Sequence, residues 1–472
     1  MEAKYLKANS LTEMFTQLDI ADAPASTRRR VMLAYGIGDA GTGMASALVG
    51  FYLFVFYTSV AGLPAWIAGT VLMTVRLWDV VSDQVIGWLG DRTNGLMGPR
   101  IPWMLGCAIP LGISMALMWW VPPFSDPWRF LWFVLVASVF QATYSGVNLP
   151  YSALATELTT DVKLRTRLNS SRFTGSVLAS LVGLMLGAAL SHQGPNGYLK
   201  IGIAAGLILI GGSLVSAIGL APAAARCQRP RQEGLEFWPQ VRTLCGNGLF
   251  LRVVSMYLLM WGALQLMQPV AIIYLSDVLH LPQSWSTGLL IPFQISALVG
   301  VWIWNQVSVD QTRLRALQIG CTCWIVICIV TIILPSLPVS GNALAPINRS
   351  QLITLMLTLL LLGISASTAY LLPWAFLPDV VDSEPNHPAG LITAFMVQIQ
   401  KLGSAASVFV LGMVLSWSGY ESSLGQQQSE SAIIMIRLSM GLVPALLIMV
   451  CLWVMKDWTS VRKRLPIASN NG

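Results

Sequence analysis

Long apolar runs constrain this chain more than any other feature. Twelve stretches stand out, at roughly 31–58, 65–90, 102–122, 128–156, 165–191, 198–222, 249–276, 284–306, 313–335, 351–377, 389–417 and 431–455. About twenty apolar residues wound as a helix cross the hydrocarbon core of a bilayer. A membrane barrel would instead use alternating strands of about ten residues. The pattern therefore predicts an all-α, multi-pass membrane protein embedded in a lipid bilayer. Composition agrees, because only 10% of the 472 residues are charged, against about 25% in a soluble domain.

Charge placement sets the topology. Residues 1–30 are polar and end in Arg28-Arg29-Arg30, with no short apolar core and cleavage site of a signal peptide. With the N-terminus inside, 21 of the 28 Lys and Arg fall in cytoplasmic segments or at their edges. Three (Arg129, Lys200, Arg349) fall outside, and the other four lie within spans. That asymmetry places both termini in the cytoplasm. It also accounts for the net charge of +7 without nucleic acid as a partner. The polar stretch 223–248 divides the chain into a cytoplasmic segment 1–30, a six-helix bundle 31–222, a central loop 223–248, a second six-helix bundle 249–455 and a tail 456–472. Most of the seven cysteines sit in apolar runs, which argues against a disulfide framework. The three histidines are far apart and show no metal-ligand spacing.

The two halves carry matching signals. Asn148-Leu149-Pro150-Tyr151-Ser152-Ala153-Leu154 ends the fourth span, and Leu371-Leu372-Pro373-Trp374-Ala375-Phe376-Leu377 ends the tenth. Each precedes an acidic cytoplasmic loop, with Glu157 and Asp161 in one and Asp379, Asp382 and Glu384 in the other. Two six-helix halves related by a parallel repeat form the major facilitator arrangement, with substrate bound between them. The loop from Gly87 through Asp91, Arg92 and Arg100 resembles the glycine-, Asp- and Arg-containing loop of that superfamily. Asp91 and Arg92 are candidates for a cytoplasmic gate.

Seven charged residues lie within spans: Asp39, Arg76, Asp79, Asp83, Arg172, Lys401 and Arg437. A charge at mid-membrane costs about 3 kcal/mol on insertion scales, so such residues mark functional sites by default. Arg76, Asp79 and Asp83 share one helical face, because they are spaced three and four residues apart. Two carboxylates there require a cation or proton, or one Arg76–Asp79 pair that simply holds helices together. Lys401, deep in the eleventh span, needs a carboxylate partner, and Asp79 or Asp83 across the two halves supplies one. Arg172 offers a fork of donors to a hydroxylated or anionic group, or bonds a helix-end carbonyl or Glu157. Asp39, among Gly36, Gly38, Gly41 and Gly43, sits where span one packs closely. Arg437 lies near a span end and can snorkel to the interface.

The segment Arg76-Leu77-Trp78-Asp79-Val80-Val81-Ser82-Asp83-Gln84-Val85-Ile86-Gly87 resembles the helix-two signature of the glycoside–pentoside–hexuronide:cation symporters, a melibiose permease-like family. Tyr35-Gly36-Ile37-Gly38, Leu149 through Leu154, Arg165 through Ser170, Leu377 through Asp382 and Gln400 through Ser404 also resemble family segments. The resemblance implies a coupling-ion site at Asp79 and Asp83, completed by a helix-four hydroxyl that falls here on Ser145. It makes Lys401 the link between ion and substrate, and sets Arg172 near the sugar. Departures are equally informative. Melibiose permease carries a Lys–Asp pair in helix one, where this chain has Thr42 and Gly43. It carries Asp and Trp in helix four, where this chain has Asn148 and Ser152. The ion machinery is retained while the sugar-gripping set is rebuilt, with Arg172, Asn148, Ser152 and Asp39 as the candidate substrate contacts.

The expected activity is alternating-access symport of a small molecule, a sugar or glycoside, driven by Na⁺ or H⁺. If sodium is the ion, Asp79 and Asp83 are its metal ligands. The rivals are symport of a lysolipid-like amphiphile or other organic solute, as in the related lysophosphatidylcholine symporters, and a non-transporting sensor or assembly factor. No phosphate-binding loop or catalytic set is visible, so no enzyme activity or cofactor other than the coupling ion is expected. A monomer in a bacterial inner membrane is the expected working form.

Overall fold

In the computed structural model, residues 20–93, 97–159, 161–225, 244, 246–310, 312–336, 339–340, 343–344, 349–383 and 389–458 are described. Most of the predicted segments 1–30, 223–248 and 456–472 lie outside these residues, as does the Asp91 side chain. The rest is helical, apart from one two-residue antiparallel pairing of Val339–Ser340 with Ala343–Leu344. The protein is an integral, multi-pass membrane protein with the major facilitator fold.

Eleven helical stretches among the described residues are long and apolar enough to cross a membrane. The first predicted span is helical too but broken. It runs as Ala25–Gly38 and Ala40–Leu48, then continues through π-helical turns Val49–Leu53 and Phe56–Val60. Asp39 lies between the first two pieces, and its carboxylate takes a hydrogen bond from the Thr42 hydroxyl at 2.5 Å. Such discontinuous helices are typical of transporter binding sites. The second span is Ala65–Arg92, the third Ile101–Met118, the fourth Asp126–Leu158, the fifth Val162–Leu190 and the sixth Pro195–Ala224. The seventh, Gly248–Ile273, ends in a π turn at Tyr274–Val278. The eighth is Gln283–Gly288 with Leu290–Asp310, the ninth Arg313–Ile333, and the tenth Arg349–Ala366 with Thr368–Ser383. The eleventh is Ala389–Trp417, and the twelfth Glu430–Met440 with Leu442–Met455.

Small residues let these helices approach where lipid gives no hydrophobic drive. A side chain at Gly36 or Gly43 would strike Ser171 or Ser176 of the fifth span, and one at Gly41 would come within 2.9 Å of the Leu209 backbone. The second and eleventh spans meet the same way, since a methyl group on Gly412 would lie 3.1 Å from Gly69 Cα. This contact joins the two halves near the ends that the charge count assigns to the outside. Ser422 adds a 2.6 Å hydrogen bond to the Thr58 carbonyl, and Gly50 packs on Gln268. Nearer the middle of the membrane, Lys401 of the eleventh span bonds Asp83 of the second and pairs with Asp79. The halves are therefore joined on the outer side and again at Lys401.

Each half braces its own cytoplasmic rim. Arg100 at the start of the third span pairs with Glu157 at the end of the fourth at 2.8 Å. Arg313 at the start of the ninth pairs with Asp379 near the end of the tenth at 3.1 Å. These are equivalent places in a parallel repeat.

Candidate functional site

The second span delivers two carboxylates to the interface between the halves. A helix brings residues four apart onto one face, so Asp79 and Asp83 stand one above the other. The fourth span faces them with Ser145. Its hydroxyl donates to Asp83 Oδ1 at 2.6 Å and lies 3.4 Å from Asp79 Oδ1. From the other half, the eleventh span inserts Lys401. Its ammonium donates to Asp83 Oδ2 at 2.5 Å and sits 2.8 Å from Asp79 Oδ2. The contact with Asp79 is an ion pair without hydrogen-bond geometry, and Asp79 Oδ2 accepts no hydrogen bond. Asp79 is buried, with 1% of its side chain exposed, while Lys401 keeps 18%. Removing one partner of such a set leaves an uncompensated charge in a poor solvent, a cost of several kcal/mol. The donor set consists of oxygen atoms, which suits a hard cation such as Na⁺ in the place of the ammonium.

A second cluster forms around the break in the first span. Arg172 Nε lies 3.1 Å from Asp39 Oδ2, and its Nη2 donates to Asn148 Oδ1 at 3.3 Å. The guanidinium also lies 5.2 Å from the Tyr151 ring centroid. Tyr151 stacks on Tyr35 with centroids 4.6 Å apart, and its hydroxyl donates to the Tyr35 carbonyl. Asp39, Arg172 and Asn148, which the sequence analysis names as substrate contacts, thus form one hydrogen-bonded unit. Arg172 does not reach Glu157, whose partner is Arg100.

The other candidates make local contacts. Ser152 turns its hydroxyl back to the Asn148 and Leu149 carbonyls of its own helix, at 2.8 and 3.0 Å. A helical serine satisfies itself this way when no better acceptor faces it. Arg92 is exposed and stacks over the Trp88 ring at 3.7 Å, so the described contacts give it no acidic gate partner. Arg76 makes no pair with Asp79, whose carboxylate faces Lys401 and Ser145 instead. Arg437 donates to the Ile332 and Leu334 carbonyls, closing the ninth span's C-terminus rather than reaching for the interface.

Three neutral residues escaped the sequence analysis. Gln141 in the fourth span and Gln265 and Gln268 in the seventh line one cavity with Arg76. Asp277 is also buried at the outer end of the seventh span, where it takes hydrogen bonds from Ser276 and Tyr420. Glutamines among apolar residues were a readable signal, because each places an amide in the membrane.

Comparison with known proteins adds the following. A family model described as MFS/sugar transport protein matches residues 34–457. An uncharacterized symporter of Synechocystis sp. is 28% identical, over 88% of this chain and 91% of its own length. The sodium-dependent lysophosphatidylcholine symporter 1-A of Danio rerio is 24% identical, over 88% of this chain and 83% of its own. A crystal structure of the nucleoside transporter NupG superimposes with a TM-score of 0.64 at 13% identity, covering 91% of this chain and 99% of that one.

Proposed function

From its membership of the MFS/sugar transport protein family, to which this chain belongs, we propose that it is a cation-coupled symporter of an organic solute. The observation that carries this reading is Lys401 held between Asp79 and Asp83 across the two halves. A cation entering that site competes with the ammonium. Displaced, Lys401 is released from the first half and the interface at that level loosens. Ion occupancy and the relation of the two halves are coupled through one side chain.

Sodium is the preferred ion. Two carboxylates and the Ser145 hydroxyl supply three oxygens, whereas a proton needs one. A relative named as sodium-dependent supports the same ion. The Asp39–Arg172–Asn148 unit is the proposed substrate contact. Ser152, whose hydroxyl donates within its own helix, has its oxygen lone pairs left to offer a substrate donor. A sugar or glycoside suits the family description, and a lysolipid suits the relative just named, so both belong in the test.

That test is solute uptake into proteoliposomes holding the full chain, under imposed Na⁺ or H⁺ gradients, with sugars, glycosides and lysolipids as solutes. Gradient-driven uptake that disappears in Asp83→Asn is the expected result. Uptake that ignores the gradient, or survives Asp83→Asn unchanged, overturns the ion site.

A further inference from the structure

Arg76 stands one turn before Asp79, on the side where the halves are joined. Among the described residues it has no hydrogen bond and no ion pair. It borders a cavity between the halves, with Gly50, Phe140, Gln141, Gln265 and Gln268 on the walls. The cavity holds about 50 Å³. At ~10–15 Å³ per water this is room for a few waters or one compact polar group, not for a whole amphiphile.

An unpaired guanidinium in the membrane is costly to keep. Its planar fork matches a carboxylate or phosphate with two parallel hydrogen bonds. Three amide side chains on the walls of the same cavity offer further donors. A sugar hydroxyl would accept a bond there but would leave the charge uncompensated.

Charge balance points the same way. Near the midplane Asp39, Asp79 and Asp83 oppose Arg76, Arg172 and Lys401. Two of the cations have partners, since Arg172 pairs with Asp39 and Lys401 with both Asp79 and Asp83. The region is neutral as it stands. A coupling cation bound at Asp79 and Asp83 leaves one positive charge in excess, and an anionic group on Arg76 cancels it.

We infer that Arg76, with Gln141, Gln265 and Gln268, is a subsite for an anionic head group, a carboxylate or phosphate, of the transported solute. The subsite names the substrate class of the symport reading and rests on it. Cation and anion then assist each other's binding by simple Coulomb attraction. The neutral members of each solute class are poor ligands by comparison.

The test measures binding and not transport. The purified full chain, in lipid nanodiscs, is titrated by thermal shift with four probes. Glucuronate and lysophosphatidic acid are anionic; methyl glucoside and monoacylglycerol are their neutral counterparts. An anionic probe should bind at least tenfold more tightly than its neutral counterpart, and more tightly in NaCl than in choline chloride. Which of the two anions binds identifies a sugar acid or a lipid headgroup. Arg76→Gln should weaken that binding by roughly 10- to 100-fold, as expected for lost hydrogen bonds to a charged group. Arg76→Lys should keep part of it. If Arg76→Gln does not fold, Gln268→Leu takes its place, with a smaller loss expected. Neutral probes binding as well as anionic ones, anion binding indifferent to Arg76→Gln, or no anion binding by the folded parent would each overturn the subsite. Anion binding that depends on Arg76 in a protein with no gradient-driven uptake would sink the symport reading alone.

Discussion

Lys401 and Asp83 lie 318 residues apart in the chain and 2.5 Å apart in space. One belongs to each half, and with Asp79 they form the charged contact across the interface at mid-depth. The pair has opposite duties: it lowers the cost of burying three charges, and it occupies the oxygens that a coupling ion would use.

Lys401→Gln is therefore expected to be destabilising, because Asp79 and Asp83 then repel in a buried site. Breaking a buried pair costs about 3–5 kcal/mol, towards the lower figure here because Lys401 keeps 18% of its side chain exposed. Thermal unfolding in detergent reads the loss. NaCl, compared with choline chloride at equal ionic strength, should restore part of it in Lys401→Gln. No salt-specific recovery would mean that the carboxylates do not bind sodium.

Ser145→Ala removes the hydroxyl between the carboxylates with little change in volume. A hydrogen bond to a charged group is worth about 1.5–3 kcal/mol. Apparent sodium affinity in the uptake assay should fall by roughly 10- to 100-fold, with the maximal rate largely kept. An unchanged sodium dependence would remove Ser145 from the site.

Asp39 and Arg172 make the next prediction. Asp39→Asn and Arg172→Gln should each lower the melting temperature, and the double variant should lose less than the sum. Contacting charges show coupling of about 0.5–3 kcal/mol in such cycles. Strict additivity would mean that the 3.1 Å pair contributes nothing net.

Gly412→Val tests the outer closure. Its side chain would meet Gly69 and the Ala65 carbonyl, so the second and eleventh spans must part. A cysteine at Thr58, bonded through its carbonyl to Ser422 in the closed arrangement, should then react faster with an impermeant alkylating reagent from outside. Equal rates in the two backgrounds would show that this contact does not hold the outer side shut.

The sequence carried the large-scale design. Apolar runs announced the spans, and the internal charges pointed to Asp79, Asp83 and Lys401, because a charge in an apolar run is rare and needs a partner. What stayed hidden was local. The break at Asp39 depends on a Thr42 hydroxyl and on how the fifth span presents Arg172. Ser152 has the same composition signal whether it faces a cavity or its own backbone. Pairing of Arg100 with Glu157 required the third and fourth spans in register, which spacing along the chain does not encode. Gln141, Gln265 and Gln268 carry no charge and come from two spans of opposite halves, so only packing reveals that they line one cavity with Arg76.

The matching Arg100–Glu157 and Arg313–Asp379 pairs have one further consequence. Each ties two helices of the same half together at the cytoplasmic rim. A load applied at that rim is therefore carried within each bundle as in a cross-tied frame, and the bundle resists shear. Under the symport reading, two frames tied in this way would turn as units on the close crossing of Gly69 and Gly412 and not bend within themselves.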